Sequence, residues 1–122
     1  MNNREMARLE RDLLGETLFW RGDCLLVIPA AGAKSQALVA VTADGVHLFQ
    51  KRTLGVTHDL MGADALAGVS QGVSVNDGDA SLPALMFQYN GRGMLLIPVP
   101  GSQESVDGLE RALSSAMNGV DR

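Results

Sequence analysis

The chain has 122 residues, 46% of them apolar and only 4% aromatic, with a net charge of −4 and an isoelectric point near 5.0. That length supports one domain, burying roughly two-thirds of the surface the unfolded chain exposes, and the apolar share excludes a disordered chain. Ten basic residues against fourteen acidic ones oppose broad nucleic-acid binding, which depends on many cations neutralising phosphates.

Residues 3–14 place Met6, Leu9 and Leu13 at steps of three and four, which predicts a helix with one apolar stripe. Arg8 and Asp12 are spaced to pair on its other side, and Gly15 stands where a helix-ending glycine belongs. Charges run through this whole stretch, unlike a secretory leader. Thr17 to Ile28 reads as extended, with Leu18 and Trp20 on one side and Phe19 and Arg21 on the other. Gly22-Asp23 is expected to bend or bulge it. Cys24 is the only cysteine, so no intramolecular disulfide can form, and a reducing, cytoplasmic setting is expected. Within CLLVIP it reads as a small buried thiol. The mostly apolar run from Cys24 to Ala33 is about half a membrane span and contains Pro29, so no stable membrane insertion is expected.

Pro29 to Gln36 reads as loop. Ala37–Val41, a turn at Thr42–Gly45, Val46–Gln50, a reversal at Thr53-Leu54-Gly55, and Val56–Met61 then form a meander of short strands. Residues 64–75 (DALAGVSQGVSV) fit a strand bent at Gly68 and Gly72, or a helical turn followed by a strand; the valines and glycines favour the strand. Asn76–Ser81 is a polar loop. Leu85–Tyr89 and Met94–Val99 flank Asn90-Gly91 as a hairpin, with a loop of two, three or four residues equally open. Pro98 and Pro100 end the sheet. Ser102 is placed to cap a last helix, in which Val106, Leu109, Leu113, Ala116 and Met117 share one side.

Gly15-Glu16, the stretch VTADGVHLF (41–49), Leu66-Ala67-Gly68-Val69, the Leu85–Val99 hairpin and the helix from Ser102 together resemble bacterial pleckstrin-homology-like (PH-like) domains. The resemblance covers nearly the whole chain after residue 15 and consists of hydrophobic positions and turns. It implies a mainly β (α+β) fold over 1–122: an N-terminal helix (1–15), a curved antiparallel barrel of about seven strands (16–100) and a C-terminal capping helix (102–118). It also implies a non-catalytic scaffold for protein interactions.

The residues show no catalytic signature. Gly91-Arg92-Gly93 lacks the third glycine and Lys-Ser/Thr ending of a phosphate loop, and Asn76-Asp77-Gly78-Asp79 has its glycine misplaced for a calcium loop. His47 and His58 lie on neighbouring predicted strands and can face one another, but a metal site needs further ligands. His58 and Asp59 point oppositely, so they do not form a base and its orienter. No enzyme, cofactor or metal is expected. The stripe Met6, Leu9, Leu13 must bury against its own domain or another chain, so the leading expectation is a protein partner or self-association into an oligomer. Between Cys24 and His58 the cations Lys34, Lys51 and Arg52 outnumber Asp44, and Arg92 joins them at one end of a PH-like barrel. An anionic ligand or lipid headgroup at these four residues is the alternative. A small acidic secretion-chaperone-like α/β protein is a third, and it requires a substantial helix within 62–75.

Overall fold

The computed structural model describes residues 18–73, 82–99 and 103–120. Seven strands form one antiparallel sheet: β1 Trp20–Ile28, β2 Ala33–Thr42, β3 Gly45–Arg52, β4 Gly55–Gly62, β5 Leu66–Val73, β6 Pro83–Tyr89 and β7 Arg92–Pro98, followed by helix α1, Gln103–Val120. The strand order is β4-β3-β2-β1-β7-β6-β5. Two meanders, β1–β4 and β5–β7, are thus fused where the first strand pairs with the last, Leu26 opposite Leu96. The mainly β class with a C-terminal helix agrees with the sequence reading. The predicted N-terminal helix, the Ser102 cap and the Asn76–Ser81 loop lie outside the described residues.

Strand alternation sorts side chains onto two faces. The inner face carries Cys24, Leu26, Val39, Val41, Val46, Leu48, Leu85 and Leu96, which form one core with the helix residues Val106, Leu109, Leu113 and Ala116. All four of those helix residues are fully buried and Met117 packs at the margin, as the spacing predicts. Gly108 lets the helix approach Trp20, since a Cβ there would sit 3.3 Å from the indole. The helix is also tied to β5: Gln71 donates to Asp107 (2.8 Å) and Glu110 (3.0 Å), and Gln103 donates to Asp107 at 3.0 Å. Those amide donors, Gln103 first and then Gln71, hold the Asp107 carboxyl below the usual carboxylate range.

Several boundaries differ from the sequence reading. Only Pro29–Gly32 turns, as a 3-10 turn closed by Gly32 at φ 61°, and strand β2 starts at Ala33, so Lys34 to Gln36 are strand rather than loop. Strand β1 has no bulge at Gly22-Asp23: it pairs with β2 residue for residue from Trp20↔Val41 to Ile28↔Ala33. Gly22 instead lies beneath the Trp20 ring, where a Cβ would come within 2.7 Å of it. Residues 63–65 make a single 3-10 turn before β5, and the register break in that strand falls between Ala67 and Ser70 beside Gly68 at φ 63°. No helix of secretion-chaperone type occupies 62–73. The last hairpin has a two-residue loop, Asn90-Gly91 with φ 52° and 79°, which sets Tyr89 opposite Arg92.

Candidate functional site

A second, smaller cluster lies on the sheet face away from helix α1. It consists of Leu38 and Ala40 of β2 and Phe49 of β3, with Val56 of β4 packed against them. Register builds it. Leu38 pairs with Phe49, and Phe49 with His58, giving one row across three strands, while Ala40, His47 and Leu60 form the next. The two-residue turn Thr53-Leu54 fixes that alignment by pairing Arg52 with Gly55.

The histidines meet on this face. His47 Nδ1 lies 2.8 Å from His58 Nε2. Their planes differ by 6° and their centroids are 5.1 Å apart, little more than the N···N distance plus two ring radii, so the rings meet edge to edge. Phe49 stacks on the His58 ring at 4.7 Å. On the other side His47 Nε2 lies 3.1 Å from the Thr42 hydroxyl, which accepts the Asp44 amide hydrogen at 3.2 Å. The hydroxyl keeps its own proton and a second lone pair, so it pairs with either tautomer of His47, and one of the two facing nitrogens, His47 Nδ1 or His58 Nε2, carries the proton between the rings. His47 is 5% exposed and His58 is exposed. Burial, then the neighbouring His58, lower the His47 pKa from 6.5, against a smaller upward pull from Asp44. The two rings form a hydrogen-bonded pair in which both His47 nitrogens and His58 Nε2 are engaged. Among the described residues no three His, Cys, Asp or Glu side chains are grouped to hold a metal. Cys24 lies in the inner core, its thiol pushed up to about 12 by burial and secondarily by Asp23.

The four basic candidates are dispersed. Lys34 is on β2 and Lys51 and Arg52 end β3, while Arg92 opens β7. Continuing the β2–β3 register puts Lys51 beside Gln36, two residues from Lys34 on the outer face. Arg92 shares its alternation with Met94 and Leu96, hence the opposite face. Lys51 and Arg92 are separated by three inter-strand steps in the sheet order, roughly 14 Å at normal spacing. The Met6, Leu9, Leu13 stripe lies outside the described residues.

Sequence reasoning missed that the outer face is apolar well beyond this cluster. Leu25 pairs with Ile97 and Met86 with Leu95, all with outer-face alternation. Ile97 is 4% exposed, whereas Met86 and Leu60 remain 44% and 45% exposed. The signal was present: CLLVI in β1 and MLLI in β7 are unbroken apolar runs, the pattern of strands buried on both faces, rather than the alternation of a half-wet sheet. At the corner where the described chain begins, Leu18, Phe19 and Trp20 face Gly108, Arg111 and Ser115 of α1 across an open groove of about 510 Å³. No helix among the described residues is long and apolar enough to cross a membrane.

No family model and no curated protein matches this chain. Among solved structures, it is similar to one described as the C-terminal domain of an unknown protein from Leishmania infantum, with a TM-score of 0.61 at 19% identity, covering 93% of this chain and 99% of that one. The likeness shows the fold alone.

Proposed function

We propose that this chain is a PH-like domain acting as a non-catalytic protein-interaction or self-association module. The PH-like reading is supported by the two meanders joined through β1 and β7 with a terminal helix on the inner face. One observation carries the interaction reading: the face opposite the helix is apolar, with Phe49 and Ile97 buried, and Leu60 and Met86 left half-exposed around them. A sheet face of that composition marks an interface. His47 fits this surface, because burial favours its neutral form and a neutral ring is covered by a partner without a charge being stripped of water.

Light scattering of the full chain across concentration tests the reading, together with Leu60→Ser/Met86→Ser. Concentration-dependent mass that the double variant abolishes supports self-association. A chain that stays monomeric at high concentration removes it and leaves a different protein as the partner. An anionic ligand is a second reading, favoured by the shared face of Lys34 and Lys51. Salt-sensitive sedimentation with anionic vesicles, lost in Lys51→Glu, is its expected signature, and no sedimentation at low salt ends it.

A further inference from the structure

The geometry points to a two-proton latch on the outer face: the His47–His58 pair stays closed with one added proton, opens with a second, and so ties self-association through that face to pH. The inference rests on reading the outer face as an interface and names how that interface is regulated.

Counting protons carries the argument. Two neutral rings hold two protons on four nitrogens. His47 Nδ1 and His58 Nε2 lie 2.8 Å apart, so one of them carries a proton and the other a lone pair. A third proton leaves that bridge intact, because it goes to an outer nitrogen. One choice is His47 Nε2, 3.1 Å from the Thr42 hydroxyl, whose oxygen can accept it beside the Asp44 amide hydrogen. The other is His58 Nδ1, on a ring that is exposed. A fourth proton has only the remaining facing nitrogen. Each N–H extends about 1.0 Å, so the two facing hydrogens would stand about 0.8 Å apart across the 2.8 Å contact, and the rings must part.

Anchoring decides which ring moves. His47 is 5% exposed and Thr42 4%. The turn behind them is pinned in turn: the Asp44 carbonyl accepts the Ala63 amide hydrogen at 2.9 Å, and Gly45 leaves no room for a Cβ against the Met61 carbonyl. His58 is exposed and sits on β4, at one end of the sheet order, with Phe49 stacked on it at 4.7 Å. It is the ring with space to turn outward.

The surroundings place the opening on the acid side. Facing His47 among the described residues are Ala40 and Thr42 from β2, Phe49 from β3, and His58 and Leu60 from β4. The carboxylate acting on it is Asp44 in the adjoining turn, whose upward pull is smaller than the downward effects of burial and of His58. The pair titrates as a unit, and its second step therefore lies below 6.5. Once open, it sets two cations beside buried Phe49 and half-exposed Leu60. A second copy docking by the same face brings two more, so association excludes the second proton.

Nitrogen NMR of the isotope-labelled full chain tests the latch, following the protonation of each ring nitrogen and the coupling across the Nδ1–Nε2 hydrogen bond from pH 8 downward. Unmoved Leu109 and Leu113 amide signals show that the fold persists. The coupling should survive the first protonation step and vanish at the second. Coupling lost at the first step, kept with both rings charged, or absent at pH 8 overturns the latch. Light scattering reads the tie to association. The dissociation constant should rise about tenfold per pH unit below the second step for each proton the associated form excludes, and His58→Gln, at an exposed position, should remove most of that rise. Association unchanged between pH 8 and 5, or an equal acid response in His58→Gln, overturns the tie while leaving the interface reading intact. A chain that is monomeric at pH 8 overturns the tie together with the self-association reading, whereas the coupling still decides the latch.

Discussion

The two faces of the sheet solve one problem by different means. On the inner face, 18 fixed residues of helix α1 lie over the strands, and Val106, Leu109, Leu113 and Ala116 meet Val39, Val46 and Leu85 in a continuous dry core. On the outer face the cluster among the described residues is Leu38, Ala40 and Phe49, with half-buried Val56 against them, walled by two hydrogen-bonded histidines and grading into half-exposed Leu60 and Met86. The inner face is finished by its own chain's most regular element. The outer face is dry at β2 and β3 and wet at its rims, which suits a surface that something else completes.

The largest test of this contrast compares truncations on the two sides. Phe49→Ala should cost about 3–5 kcal/mol and Leu113→Ala about 2–5 kcal/mol by urea denaturation, the range for fully packed side chains. If Phe49→Ala costs no more than an ordinary surface substitution while Leu113→Ala is severe, the outer cluster is not packed as a core and the contrast collapses to one face.

A pH titration probes the histidine wall next. The His47 pKa is lowered on folding, so as pH falls the unfolded chain takes up its proton first. Stability from this group is therefore complete above about 6.5, the unfolded value, and is lost as pH falls from there through the lower folded value. Urea midpoints between pH 8 and 5 should fall on acidification, and His47→Gln should flatten the fall. An equal slope in the variant would show that the carboxylates alone set it.

Leu60→Ser and Met86→Ser should each shift stability by no more than about 0.5 kcal/mol, as exposed positions do, while weakening association. A large stability loss at either would mean these rims are already covered. The smallest effect is chemical: Cys24, buried with its thiol at about 12, should resist alkylation in the native state and react fully once unfolded, followed by intact mass. Rapid native labelling would open the inner core to solvent.

Much of this architecture is legible in local chemistry. The Asp44-Gly45 and Asn90-Gly91 turns mark hairpins because positive φ is tolerated there, and Gly45 and Gly91 adopt it at 136° and 79°. The helix stripe is legible because spacing alone defines a face. What failed to show was set by distant partners. Ala33 to Gln36 has too little apolar content to announce a strand, yet four more rungs with β1 make it one. Gly22 invites a bulge on propensity, but the Trp20 ring above it requires a flat, side-chain-free position. The histidine contact depended on knowing that the β3–β4 turn has two residues rather than three, since a one-residue slip sends His58 to the other face. The basic candidates were legible only as loop ends; which face each takes needed the register.

The lone indole of this chain is wedged between Gly22 of the first strand and Gly108 of the helix, beside the corner groove. Its emission colour is thus a built-in gauge of whether the lid over the inner core is shut. A red shift preceding loss of β signal would report the lid lifting as a separate event, readable without any added dye.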